Sequence, residues 1–109
     1  MGLRARLGRT FWDWGIPTPD CIMSVRDALP DVPLVATGGL RSGLDAARAL
    51  ALGADVAGFA GHMFRAAAES AARAQEELGA ILEELRTACF LAGAATPSRL
   101  ASALPASFP

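Results

Sequence analysis

Two short apolar runs, each ending at glycine and each followed by a helical pattern, constrain the fold more than any other feature. The first run covers residues 34–37 and meets Gly38 and Gly39, while the second covers residues 56–60 and meets Gly61. Neither run alternates with polar residues, which favours strands that are buried on both faces of a parallel sheet. Parallel neighbours need a crossover connection, usually a helix, and the residues between the two runs have the length for one.

Helical patterns lie on both sides of the two apolar runs. Thr18 is a suitable N-cap, Pro19 fits the first helical position, and apolar residues follow at helical spacing. The remaining predicted helices are one capped by Ser42 and stopped by Gly53, a short one over about 63–69, and a long one over about 70–92 that Gly93 ends.

The resulting order of helix, strand, helix, strand and two helices predicts an α/β fold with about two parallel strands and flanking helices. Two strands alone would leave their outer edges unpaired, so we expect a piece of a larger sheet or barrel. The 52% hydrophobic content agrees with a surface that expects a partner. The expected organisation is a flexible leader over 1–10, a compact segment over 11–93 and an irregular C-terminal tail over 94–109.

Composition excludes several classes of function. Net charge is −1 and no basic run occurs, so no nucleic-acid footprint is present. All ten basic residues are Arg, which excludes a Walker-type phosphate loop and a lysine base carried by this chain. No apolar stretch approaches the roughly 20 residues that cross a membrane, and no secretory signal is apparent. Cys21 and Cys89 have no motif around them, which favours reduced cysteines in a cytoplasmic protein.

The two glycine-ended strands also indicate a binding site. Glycine lets backbone N–H groups approach a ligand closely, and helix N-termini offer unpaired donors and a positive dipole end. Two such corners on adjacent parallel strands would converge on one anion, as at the phosphate site after the last two strands of a (β/α)₈ barrel. The alternative is that these glycines only make tight turns. The residues predicted to bind are Gly38, Gly39, Leu40 and Arg41, together with Ala60 and Gly61.

Several segments resemble type 2 isopentenyl diphosphate isomerases. The block from Asp13 to Thr18 looks like the segment before the sixth barrel helix of that family. Residues 37–45 and 49–55 resemble its seventh strand and helix, and Ala60-Gly61 with residues 85–93 resemble its eighth strand and final helix. The Gly-Gly-x-Arg pattern is shared with FMN-dependent α-hydroxy acid oxidases, whereas Trp-Gly-Ile-Pro-Thr and Leu-Arg-Thr-Ala favour the isomerase. The resemblance covers roughly residues 11–100.

The resemblance implies that this chain is the C-terminal fragment of an FMN-binding TIM barrel and that the six residues above line the FMN phosphate. The family converts isopentenyl diphosphate to dimethylallyl diphosphate, using FMN that NADPH reduces and Mg²⁺ on the diphosphate. Its metal ligand and its substrate-binding residues belong to earlier strands that have no counterpart here. The resemblance therefore implies no catalytic residue and no metal ligand in this chain. His62 stands where the family commonly has proline, and a tolerated substitution is the favoured interpretation.

Three functions stay open at this point. The first is an isomerase polypeptide whose present part binds the FMN phosphate and is inactive alone. The second is a fragment of an FMN-dependent α-hydroxy-acid oxidase or dehydrogenase, and the third is a non-catalytic gene remnant. As an assembly, the chain is expected to form homo-oligomers or to need an N-terminal complement.

Overall fold

The computed structural model describes residues 1–103, which form six α-helices, two strands and one 3₁₀ turn. The predicted order of elements is confirmed from the helix after Pro17 to Gly93. The elements are α1 (Leu3–Thr10), α2 (Thr18–Ala28), β1 (Val35–Ala36), α3 (Gly43–Ala51), β2 (Val56–Ala57), α4 (Gly61–Glu69), α5 (Ala71–Ala92), the 3₁₀ turn Pro97–Arg99 and α6 (Leu100–Ala103).

The two strands pair in parallel, with Val35 opposite Val56 and Ala36 opposite Ala57. The ladder continues beyond the strands, because the Gly58 N–H donates to the Ala36 carbonyl at 2.7 Å. The parallel pair joined by a helical crossover confirms the mixed α/β class. Each strand is shorter than its apolar run, since among residues 1–103 each has only one neighbouring strand with which to exchange hydrogen bonds.

The two faces of this small sheet have different environments. Ala36 is 2% exposed and belongs to the core that the sheet forms with the helices, whereas Val35 and Val56 are 60% and 54% exposed. Successive side chains of a strand point to opposite faces, so the two valines share the face that the core does not cover. A β-branched pair exposed in this way marks a face that no described element packs against.

The core lies between the sheet, α3, α5 and the C-terminal turn. α3 contacts both β2 and α5, and its buried positions are mostly alanine, which lets these elements approach closely. Gly43 makes the closest approach, because a Cβ there would lie 2.5 Å from Glu84 Cβ and from Leu85 N in α5. The fully or nearly buried core residues are Ile22, Ala36, Leu40, Ala47, Ala49, Leu50, Ala54, Cys89, Ala94 and Leu100.

An arginine ties the amino ends of the two strands together. The Arg26 guanidinium donates to the Gly53 and Val32 carbonyls at 2.8 Å and pairs with Asp55 at 2.8 Å. The Asp55 carboxylate also accepts the Leu34 N–H at 2.8 Å. That backbone hydrogen bond, followed by the one from Arg26, lowers the pKa of Asp55 from its ordinary value of 3.8. This end of the sheet is therefore fixed by polar contacts that already satisfy one another.

Both chain ends are more regular than the sequence suggested. Residues 3–10 of the expected flexible leader form the helix α1, since Ala, Leu and Arg are strong helix formers even without an amphipathic pattern. No residue of α1 is buried. The irregular tail is wrong for residues 97–103, where Pro97 opens a turn and Leu100 is 0% exposed in the core. Residues 104–109, with Pro105 and Pro109, lie outside the described residues.

The remaining helix boundaries follow local chemistry. Ser70 ends α4 and begins α5, and its hydroxyl accepts the Arg73 N–H at 2.9 Å. Gly93 takes the left-handed conformation predicted for the end of α5. α4 begins at Gly61, two residues earlier than predicted. Within residues 1–103, no helix combines the length and the apolar character that crossing a bilayer demands.

Candidate functional site

The carboxyl ends of β1 and β2 open into one pocket of about 280 Å³. The loop from Thr37 to Arg41 forms one side of it, and the connection from Gly58 into α4 forms the other. All six residues predicted to bind line this pocket: Gly38, Gly39, Leu40, Arg41, Ala60 and Gly61. The structure therefore brings both glycine corners to one place, and it adds His62 and Arg65 to the lining.

A threonine of α2 shapes the first loop. Gly38 and Gly39 both have positive φ, +111° and +79°, a region that L side chains rarely adopt. The Thr18 hydroxyl donates to the Gly38 carbonyl at 2.8 Å, and a Cβ on Gly38 would lie 3.0 Å from that hydroxyl oxygen. Thr18 is therefore not the N-cap of α2: Pro17 holds that position without a side-chain bond, and Thr18 begins the helix. Its hydroxyl donates to the Gly38 carbonyl on the neighbouring loop instead of capping the helix.

The N-terminus of α3 caps itself. The Ser42 hydroxyl accepts the Asp45 N–H at 3.1 Å, and the Asp45 carboxylate accepts the Arg41 N–H at 2.9 Å. Ser42 thus caps the first turn of α3, while the Asp45 side chain bonds the backbone N–H of the residue that precedes the cap. The idea that every amide from 38 to 41 faces an anion is therefore wrong for Arg41, whose N–H is already bonded. Its guanidinium stays available, and so do the N–H groups of Gly38, Gly39 and Leu40, which donate to no described residue.

The N-terminus of α4 has no cap of this kind. Ala60 is its N-cap, and no side chain bonds there. The helical ladder starts with the Phe64 N–H, which donates to the Ala60 carbonyl at 2.8 Å. The N–H groups of Gly61, His62 and Met63 precede that bond, and none of them donates to a described residue. A Cβ on Gly61 would meet no atom within 4 Å, so the space beside this turn is open.

A side-chain hydrogen bond holds the start of α4 against α5. His62 Nε2 lies 2.6 Å from Glu77 Oε1, and both side chains are partly buried. The other Glu77 oxygen lies 3.2 Å from Arg73 Nη2. The hydrogen bond from His62 is the main cause that lowers the pKa of Glu77 from its ordinary 4.5. His62 is therefore a partner of α5, a role that its isolated position in the sequence gave no means to recognise.

The formally charged side chains that line the pocket are both arginines. Arg41 and Arg65 contribute guanidinium groups, His62 contributes its ring, and no lining residue is acidic. Arg65 is not among the residues predicted to bind, although the sequence contains a signal for it. It follows Gly61 by four residues, so helical spacing brings it back to the face on which Gly61 lies. Open amides and unopposed cations together suit a phosphate group.

Other hollows have different character. One of about 570 Å³ lies at the amino ends of the strands, where Arg26, Asp55 and Pro97 line it, but its guanidinium and carboxylate already satisfy each other. Another, of about 340 Å³, follows the outer edge of β1 between Ile16, Val25 and Val35. Residues 1–103 contain no group of three or more His, Cys, Asp or Glu side chains placed to hold a metal ion.

Comparison with known proteins gives consistent matches. Residues 8–106 match the sequence model of the FMN-dependent dehydrogenase family. The chain is 50% identical over 98 residues to the isopentenyl-diphosphate delta-isomerase of Nostoc sp., covering 90% of this chain and 28% of that protein. The isomerase of Mycobacterium marinum is 54% identical over 82 residues, which are 75% of this chain and 24% of that one. That of Stutzerimonas stutzeri is 44% identical over 89 residues, 82% and 26% of the two chains. The chain spans about a quarter of the length of these relatives.

Proposed function

The chain belongs to the FMN-dependent dehydrogenase family, and we propose that it supplies the cofactor-phosphate site of an FMN-dependent isopentenyl-diphosphate delta-isomerase. The observation that carries this proposal is the convergence of both glycine corners on one positively lined pocket. The identity to curated isomerases over most of the chain supports the choice of reaction.

The residues of the pocket fit the phosphate of FMN. The N–H groups of Gly38, Gly39, Leu40 and Gly61 are the proposed backbone donors, and the Arg41 guanidinium is a proposed charged donor. Ala60 completes the wall without a side chain large enough to fill the space. The dipole of α4 points its positive end at the same place, since the helix begins at Gly61.

We further propose that residues 11–93 form the last part of a (β/α)₈ barrel. Three observations support this: the outer edge of β1 borders a hollow of about 340 Å³, Val35 and Val56 are exposed on the inner face, and each strand has one neighbour among residues 1–103. A strand docked beside β1 would fill that hollow and pair that edge. The occupant of this edge is then the preceding β/α unit of the complete barrel, supplied by a longer polypeptide or by a complementary one.

In the complete enzyme, bound FMN supplies the proton-transfer chemistry that converts isopentenyl diphosphate to dimethylallyl diphosphate. This chain binds and orients the flavin by its phosphate, and the capped start of α3 keeps the first loop in place. The resemblance to type 2 isopentenyl diphosphate isomerases implies that the ligands of Mg²⁺, the NADPH site and the substrate-binding residues belong to other strands. The 109-residue chain alone is then inactive, and the assembled enzyme is a cytoplasmic homo-oligomer.

A second candidate is an FMN-dependent dehydrogenase that oxidises an α-hydroxy acid. The description of the family whose model matches residues 8–106 favours it. Both candidates use the same phosphate pocket, so the site does not separate them. The identities to isomerases over 75–90% of this chain are the reason for preferring the first.

A chimera tests the proposed reaction. This chain replaces the matching 98-residue stretch of the Nostoc isomerase, and the product is assayed for FMN content and for dimethylallyl diphosphate formed under reducing conditions. We expect FMN binding and isomerisation together. A chimera that binds FMN at full occupancy but oxidises α-hydroxy acids, with no isomerisation, would overturn the choice of reaction. The same chimera with Gly61→Val should fold and lose FMN.

A further inference from the structure

Arg65 lies in the second turn of α4 and lines the pocket with Arg41. The two arginines come from different corners, Arg41 from the loop after β1 and Arg65 from the helix after β2. Both are largely exposed at the pocket wall. A ligand held between the two loops would therefore meet one guanidinium from each.

Arg41 and Arg65 take part in none of the ion pairs among the described residues. Within residues 1–103, neither guanidinium makes a hydrogen bond or an ion pair with a described residue. The other arginines from residue 26 to residue 86 all have acidic partners: Arg26 with Asp55, Arg48 with Asp45, Arg73 with Glu69, Glu76 and Glu77, and Arg86 with Glu83. Within residues 26–86, the two arginines without an acidic partner are therefore the two that line this pocket, and the other arginines without an ion pair lie near the chain ends, at Arg4, Arg6, Arg9 and Arg99.

A partner for Arg65 exists on its own helix but is engaged elsewhere. Glu69 follows Arg65 by four residues, a spacing at which helical side chains meet. Its carboxylate lies 3.6 Å from Arg73 Nε instead. Glu77 of α5 lies near the start of α4, but His62 and Arg73 contact its two carboxylate oxygens. Glu69 and Glu77 are therefore engaged by other side chains, and neither makes an ion pair with Arg65.

We propose that Arg65 is a second phosphate-binding cation, acting with Arg41, and that the pocket selects a terminal phosphomonoester dianion. The proposal rests on the FMN-phosphate site proposed above and adds a residue to it. Two unpaired guanidinium groups match a group that carries close to two negative charges at neutral pH. A phosphodiester carries only one negative charge, so it matches two guanidinium groups less well.

The test measures binding of FMN and of riboflavin, which lacks the phosphate, to the 109-residue chain by equilibrium dialysis. Arg65→Gln should weaken FMN about tenfold, corresponding to roughly 1.4 kcal/mol, and leave riboflavin unchanged. It should also reduce the salt dependence of FMN binding, because one cation is removed from the site. Arg86→Gln is the matched control, since Arg86 is exposed, pairs with Glu83 and lies outside the pocket.

The outcomes separate this inference from the proposed function. If the wild type prefers FMN over riboflavin and Gly61→Val abolishes that preference, while Arg65→Gln binds FMN as the wild type does, the role of Arg65 is wrong and the site stands. If the wild type binds FMN and riboflavin equally, both proposals fall. A tenfold loss with Arg65→Gln that Arg86→Gln reproduces would also overturn the inference, because the effect would then come from net charge.

Discussion

Replacing Gly43 by alanine tests the packing that positions the candidate site. Gly43 begins α3, directly after the loop that carries Gly38 to Arg41. A Cβ there would lie 2.5 Å from Glu84 Cβ and from Leu85 N, so α3 and α5 must separate by roughly 1 Å to restore ordinary contact. The nearest atoms are mainly backbone of α5, which cannot rotate away as a flexible side chain can.

The expected cost follows from this overlap. Overpacking a close contact costs about 1–3 kcal/mol, so we expect Gly43→Ala to lower the free energy of unfolding by about 2 kcal/mol. The Tm should fall by roughly 8–16 °C at the usual 4–8 °C per kcal/mol for a chain of this size. Urea unfolding followed by circular dichroism measures the first quantity, and a thermal melt measures the second.

A matched glycine supplies the control. Gly79 lies inside α5, and a Cβ on it would meet nothing within 4 Å. Gly79→Ala should therefore raise the free energy of unfolding by about 0.5–1 kcal/mol, because alanine is the better helix former. If Gly43→Ala and Gly79→Ala stabilise the chain equally, the close contact between α3 and α5 is refuted, because helix propensity alone would then explain both results.

Two further predictions concern the polar contacts at the two ends of the sheet. Thr18→Val removes the hydroxyl that donates to Gly38, so it should cost about 1 kcal/mol in urea unfolding and weaken FMN binding in dialysis, while Thr18→Ser restores both. If Thr18→Val and Thr18→Ser have the same stability and the same affinity for FMN, the hydrogen bond to Gly38 does not have this role. The lowered pKa of Asp55 means that its stabilising contribution is present above pH 3.8 and is lost as pH falls through the folded-state pKa. In the Asp55→Asn variant, the free energy of unfolding should therefore depend less on pH between about pH 2 and pH 5 than in the wild type. If the variant keeps the wild-type dependence on pH, the loss of stability in acid comes from other carboxyl groups.

The order of elements and the place of the site follow from local sequence. The apolar runs, the glycines after them and the helix caps at Ser42 and Gly93 act through neighbouring residues, so their effect is readable without the fold. The N-cap at Ser42 does not by itself predict the hydrogen bond from the Arg41 N–H to the Asp45 carboxylate, which removes that N–H from the site.

The missed features depend on contacts between distant segments. Thr18 and Gly38 are 20 residues apart, and His62 and Glu77 are 15 apart, so no local pattern connects either pair. Leu100 is a further feature that local sequence does not predict. Its neighbours in sequence suggest an irregular tail, but its side chain is fully buried in the core. Hydrophobic burial fixed that segment where propensity gave no indication.

The proposed site requires that two loops bind one phosphate. The most direct measurement is a titration of the ¹⁵N-labelled chain with FMN, and separately with riboflavin, followed by amide chemical shifts. We expect FMN to shift the amide signals of Gly39, Leu40, Gly61 and His62 together, with one common dissociation constant, and riboflavin to leave them in place. Shifts confined to one of the two loops, or the same shifts with riboflavin, would contradict it.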